Sequence, residues 1–277
     1  MTRADGESVA AAGGAAVVVE QFTKKYGETL AVDGVSFEAR YGEVFALLGP
    51  NGAGKSSIVR ALVGLHAPSA GAVRVAGFDL AVDPVSAKER FGYVPEVAQL
   101  YEVLTPREHL ELVARLHRIP DGRSGLAAEK LLAALDLARV ADAPIATFSK
   151  GMKQKLALAG ALLPSPPVLI LDEPMSGLDA EAALVVRELV REAAARGRCV
   201  FYTSHVLEVV EKVAHRVAIL MKGKLVALGT LDEVRAQAGS RGDLAQTFAS
   251  LVRSEDPRAR ASALLDAASE ASGRTTT

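Results

Sequence analysis

The sequence predicts a doubly wound α/β core interrupted by a helical insertion. Three observations carry that prediction. "EVFALLGPNGAGKS" is an apolar run that breaks into glycines and then into a helical pattern. "PPVLILDEP" is a second apolar run, and it ends in two acids. Between them, from about Val97 to Leu163, the periodicity is helical. A strand, a glycine-rich loop, a helix and later buried strands are the grammar of a sheet covered on both faces.

The elements follow in order. Residues 1–14, rich in Ala and Gly, and the Ser/Thr-rich stretch 267–277 read as disordered tails around a domain expected at 15–235. "AAVVVEQF" and "GVSFEA" suggest strands, "EVFALLG" a buried strand and "KSSIVRALVGL" a helix. "GAVRVAGFDL" alternates as one further short strand. Thr105, Pro106 and Glu108 form a capping box with proline at the first helical position, starting the helix "PREHLELVARLHR". "RCVFYTSH" and "HRVAILMKGKLVALG" return to strand character, with helices between. "DEVRAQAG" and "DLAQTFASLVRSED" read as helices in a short extension over 236–266. No internal repeat is visible.

Composition narrows the function classes. With 277 residues, 49% hydrophobic but only 5% aromatic, the chain can bury a large aliphatic core. A formal net charge of −1 gives no electrostatic reason to expect a nucleic acid partner. The one cysteine, Cys199, excludes an intrachain disulfide framework and a cysteine-rich zinc site. No apolar run approaches the ~18 residues that cross a bilayer, and no signal-peptide pattern follows Met1, so the chain reads as soluble and cytoplasmic.

"GPNGAGKS" (Gly49, Pro50, Asn51, Gly52, Ala53, Gly54, Lys55 and Ser56, with Ser57 next) fits G-x-x-x-x-G-K-[ST], with a strand before it and a helix after. Its glycines let backbone N–H groups curl around a β-phosphate. Lys55 reaches the β- and γ-phosphates, and the Ser56 hydroxyl suits Mg²⁺. Asp172 and Glu173 end a buried strand, where open α/β sheets bind ligands. There Asp172 would hold Mg²⁺ through water, and Glu173 would polarise the attacking water. His205 follows "CVFYTS" and takes a similar strand-end place, facing the γ-phosphate, whereas His66, His109, His117 and His215 read as structural. "FSKGMKQKL" puts Ser149 and Gly151 at a helix start, a ready anion seat, with Lys150, Lys153 and Lys155 as a solvated face.

Taken together, the glycine loop, the helical insertion, "FSKGM", "LILDEPMSGLD" and "TSH" resemble, in order, the ATP-binding subunits of ABC transporters, over about Val17 to Leu231. The resemblance implies a P-loop NTPase core, mostly parallel with an antiparallel β subdomain, and an inserted helical subdomain at about 97–163. It implies ATP and Mg²⁺ as ligands and hydrolysis coupled to transport. In this family Ser149 and Gly151 would cap the γ-phosphate held by a second subunit. Tyr26 takes the place of the aromatic that stacks on adenine, and Asp179 that of the loop crossing the subunit boundary. Implied partners are a transmembrane permease on a separate chain and a second ATPase subunit, identical or different, so the chain would sit on the inner face of the cell membrane. The helix of that permease would enter near Leu100, Tyr101 and Val103.

Two departures from the family pattern stand out. Lys150 and Met152 replace the usual Gly and Gln, and Glu96 stands where a γ-phosphate-sensing glutamine is usual. Glu96 could ligate Mg²⁺. "GYVPE", "LYEVLT" and "FSKGM" are most similar to the branch that exports drugs, antibiotics, lipids or polysaccharides. The rival readings are a soluble non-transport ATPase of the same type and an ATP-gated interaction module. The first would carry zinc cysteines or a doubled motif set, and the second has no use for Glu173 and His205.

Overall fold

The computed structural model describes residues 14–239, 243–252, 262 and 264–267. The tails expected at 1–14 and 267–277 therefore lie, but for their innermost residues, outside the described residues.

The chain opens with β1 (Ala15–Tyr26) and β2 (Thr29–Arg40), then β3 (Val44–Leu48), α1 (Lys55–Leu62), β4 (Ala70–Val75), β5 (Phe78–Asp79), α2 (Pro84–Lys88) and β6 (Phe91–Val94). Helices α3 (Pro106–Leu116), α4 (Asp121–Ala134) and α5 (Lys150–Leu162) follow. The second half alternates β7 (Val168–Asp172), α6 (Ala180–Ala195), β8 (Cys199–Thr203), α7 (Leu207–Val213) and β9 (Arg216–Met221). It continues with β10 (Lys224–Thr230), α8 (Leu231–Gln237) and α9 (Leu244–Val252).

Two sheets result. One has the order β2-β1-β4-β5, and its pairs are antiparallel. The other runs β10-β9-β3-β8-β7-β6, parallel except for the β10–β9 pair at its edge. The α/β architecture with an antiparallel β subdomain and inserted helices is the one expected.

Strand β3 shows why the core has two halves. All five of its residues are buried, and successive side chains point to opposite faces. Phe45 and Leu47 join the core under the antiparallel sheet, where Phe45 stacks on Phe37 at 5.2 Å and on Phe201 at 5.8 Å. Val44, Ala46 and Leu48 join the core beneath α3–α6. A sheet covered on both faces selects near-continuous apolar strands, and each buried aliphatic side chain contributes roughly 1.5–3 kcal/mol.

Local expectations are refined in three places. "GAVRVAGFDL" is a hairpin, not one strand: Ala76 and Gly77 have φ of 49° and 84°, and Val75 pairs with Phe78. "HRVAILMKGKLVALG" turns in the same way at Lys222 and Gly223, with φ of 47° and 80°. Two consecutive positive φ values are what a tight two-residue hairpin needs. Finally, the chain from Val97 to Thr105 carries no helix, and α3 begins at Pro106 beneath the full Thr105–Glu108 capping box.

Past the sheet, α8 starts on a second capping box, Thr230 with Glu233, and Arg235 pairs with Glu211 of α7. Leu244 of α9 is buried in the main core and Phe248 packs against it. Among the described residues no helix is long and apolar enough to cross a membrane.

Candidate functional site

Residues 49–54 link β3 to α1 as a loop built around backbone. A Cβ on Gly54, where φ is 107°, would meet Ala31 O at 2.7 Å, so only glycine fits there. The β9–β10 turn braces the loop from behind, with Gly223 N donating to Ala53 O at 3.0 Å. No side chain caps the first turn of α1, which leaves its N–H groups open to an anion. Lys55 folds back over the loop and donates from Nζ to Gly49 O at 2.6 Å and Pro50 O at 3.2 Å. Burial lowers its pKa, while Glu173, Asp172 and Glu96 act to raise it. A cation held over carbonyl groups and faced by acids is a loaded phosphate ligand.

The acids arrive on the neighbouring strands. Register pairs Asp172 with Thr203 of β8. Thr203 Oγ1 donates to Asp172 Oδ1 at 2.5 Å. Glu173 N in turn donates to Thr203 Oγ1 at 3.1 Å and Thr203 O at 3.2 Å. Burial raises the Asp172 pKa; the Thr203 bond opposes this and Glu96 adds to it. Glu173 has a φ of 48°, a left-handed backbone that costs about 1–3 kcal/mol for a residue with a side chain. That turn brings Glu173 Oε1 to 2.9 Å from His205 Nδ1. The Glu173 side chain is 14% exposed and that of His205 71%, so the pair reaches from the sheet edge to solvent. In chemical terms, a carboxylate held against an imidazole beside a phosphate loop can orient and activate water.

A cavity of about 750 Å³ lies between α1, β6 and α5, and Ser56, Glu96 and Asp172 share its wall. These are hard oxygen donors, suited to a Mg²⁺ ion whose remaining ligands are water and phosphate. Tyr26 ends β1 and is 41% exposed, with its hydroxyl 3.4 Å from Ser57 Oγ and Lys24 Nζ 5.2 Å from the ring centre.

Ser149, Gly151 and Asp179 form a different surface. Ser149 caps α5, accepting from Met152 N at 3.2 Å. A Cβ on Gly151 would lie 2.7 Å from Gly177 O, so the helix start is pressed onto the loop before Asp179. Asp179 caps α6 and accepts from Ala182 N at 2.8 Å, a bond that depresses its pKa. None of the three lines the cavity shared by Ser56 and Asp172.

The lysine face expected on α5 is corrected at Lys153 and Lys155, while Lys150 is exposed as expected. Lys150 donates to Ser176 Oγ at 2.8 Å, Lys153 pairs with Glu102 at 2.5 Å, and Lys155 lies 3.9 Å from Asp136. The side chains of Lys153 and Lys155 are only 22% and 18% exposed, because α5 is packed among α3, α4 and β6. His215 is structural as expected, accepting from Val44 N at 2.9 Å. His66 stands edge-on to Tyr26, with ring centres 6.1 Å apart. Thr203 was not singled out from sequence, since only the register of β7 and β8 sets it beside Asp172.

The model of the ABC transporter family matches residues 32–176. The chain belongs to that family. The daunorubicin resistance ATP-binding protein DrrA3 of Streptomyces coeruleorubidus is 37% identical over 224 residues, 81% of this chain and 71% of the relative. The Nod factor export ATP-binding protein I of Paraburkholderia xenovorans is 39% identical over 215 residues, 78% and 71% of the two chains. A solved ATP-binding subunit of an ABC transporter, 36% identical, superposes with a TM-score of 0.81 over 85% of this chain and 98% of its own. A dimeric ATP-binding cassette in a post-hydrolysis state, bound to ADP and Pi, has 25% identity and a TM-score of 0.71 over 78% and 98%. This ABC protein binds and hydrolyses ATP, as the sequence led us to expect.

Proposed function

We propose that this ABC ATPase subunit drives export of a small molecule, antibiotic, lipid or polysaccharide through a permease on a separate chain. It works in a pair with a second ATPase subunit, identical or different, at the inner face of the cell membrane. The observation that carries the reading is the assembled Glu173–His205 pair, 2.9 Å apart beside the loop that holds Lys55. Resistance and export functions in the names of the relatives support the direction.

In this scheme Tyr26 stacks on adenine, and residues Gly49 to Ser57 enclose the phosphates. Lys55 exchanges its two carbonyl bonds for phosphate oxygens. Ser56, Asp172 and Glu96 would hold Mg²⁺, which would neutralise charge on the phosphates. Glu173 takes the proton of the attacking water, and His205 fixes that carboxylate and faces the γ-phosphate. Ser149 and Gly151 close over the nucleotide of the partner subunit, with Asp179 at the boundary. Because nucleotide favours the closed pair, closure does work on the attached permease. Val97, Tyr101 and Val103, 57%, 67% and 86% exposed, together with Leu100 offer an apolar seat to a permease helix beside the cavity.

The test is transport. Inside-out vesicles holding this chain and the membrane protein that co-purifies with it should accumulate the cargo only with Mg²⁺ and ATP. Accumulation in right-side-out vesicles under external ATP, or no nucleotide dependence, defeats the reading.

A further inference from the structure

Gln154 sits in α5, five residues past the capping Ser149, and is 1% exposed. Its Nε2 donates to Pro95 O at 3.0 Å, while its Oε1 is buried with no hydrogen-bond partner among the described residues. A backbone carbonyl can only accept, so this bond fixes which end of the amide faces the loop. Pro95 directly precedes Glu96, and both line the cavity that also contains Ser56 and Asp172. A buried carbonyl left without a partner destabilises the fold, and an apolar side chain of the same size would avoid that loss. An arrangement of this kind has a use if the loop takes a second position.

We infer that Gln154 is a positioning residue that ties the loop carrying Glu96 to the helix carrying Ser149 and Gly151. The inference rests on the roles given above to Glu96 and Ser149. Helix α5 is a rigid rod, so a displacement of the Pro95–Glu96 backbone is passed through one hydrogen bond to the helix start. A shift of Glu96 toward bound nucleotide would carry the helix start with it, and the unused Oε1 would supply an acceptor for a backbone N–H of the displaced loop. The chain thereby reports occupancy of its own nucleotide site at the surface it presents to its partner. The coupling is a two-position element biased from both ends.

A double-mutant cycle on the full chain tests this. Gln154→Leu removes both the bond and the orphaned acceptor; Gln154→Met, unbranched and of similar length, takes its place if the leucine variant does not fold. Melting temperature is expected to hold or rise, and the affinity of the chain for ATP to stay within about two-fold, since Gln154 touches no nucleotide-facing group. Steady-state ATP hydrolysis should fall about ten-fold, through kcat rather than KM. In a Glu96→Ala background the same substitution should add less than about a two-fold loss, because the two act in one chain of contacts. Losses that multiply across the cycle assign Gln154 a merely structural role and overturn the inference. Wild-type turnover in Gln154→Leu beside an impaired Glu96→Ala overturns it while sparing the reading of Glu96. A silent Glu96→Ala overturns both.

Discussion

The phosphate loop and the Ser149 helix start are both anion seats, yet the chain finishes them differently. Around the loop, β7 and β8 deliver Asp172, Glu173, Thr203 and His205 into one hydrogen-bonded set, and Lys55, bonded to the loop carbonyls after β3, faces the acids electrostatically. Around Ser149 the contacts run to residues 176–177, on the loop before α6. The first is a cluster of catalytic-type groups joined across neighbouring strands. The second is braced by its own chain and lies apart from the cavity lined by Ser56 and Asp172. The difference teaches that strand ends of one sheet converge by register, whereas a helix start on an inserted subdomain is free to face another molecule.

The sharpest way to break this comparison is at the acid. Glu173→Gln should lower phosphate release by about 10²–10⁴ while nucleotide titration still shows binding. A rate within ten-fold of wild type removes Glu173 from the chemistry.

Next comes Ser149→Arg, which places bulk and a positive charge at the proposed cap. Turnover should drop about 100-fold, with ATP affinity of the separated chain unchanged and stability lowered by about 1 kcal/mol through the lost cap. Loss of nucleotide binding by the separated chain would instead put Ser149 in the site of its own subunit.

Thr203→Val tests the seam between β7 and β8. Without the hydroxyl, Asp172 and the Glu173 backbone lose a shared partner, and kcat should fall roughly ten-fold. Asp172→Asn separates stability from activity at the same seam. Burial disfavours the charged acid, so the asparagine variant should melt higher than wild type without ligand, yet lose metal-dependent turnover. An acid whose folded pKa lies above its unfolded one stabilises the fold less as pH rises through that interval, so the gap in melting temperature should widen from acid to neutral pH. A variant that melts lower at neutral pH contradicts the burial argument.

The smallest expected effect is at the rim. Tyr26→Phe loses only the 3.4 Å contact to Ser57, and KM for ATP should move by less than about two-fold; Tyr26→Ala should raise it several-fold.

How much could be read in advance depended on the range of the interaction. The glycine loop, the strand-end acids and the Thr105 capping box are short contiguous patterns, and each was legible because its partners lie within a few residues. Thr203 was not, because its role exists only where β8 lies in register beside β7, and threonine is an ordinary strand residue otherwise. Lys153 and Lys155 read as a wet lysine face; packing of α5 on α3, α4 and β6 covers most of both side chains and buries Gln154 between them. The two hairpins hid for a local reason. Ala76 and Lys222 are poor advertisements for a positive φ, and only Gly77 and Gly223 carried the hint.

Sequence by itself determined the class of fold, the phosphate loop and the identity of the acids, since local backbone preference and apolar periodicity act along the chain. Tertiary structure decided which groups meet: that Glu173 turns left-handed onto His205, that Thr203 holds both acids, and that Ser149 faces elsewhere. Those outcomes follow from strand register and helix packing between residues tens of positions apart, and no stretch of the chain encodes them singly.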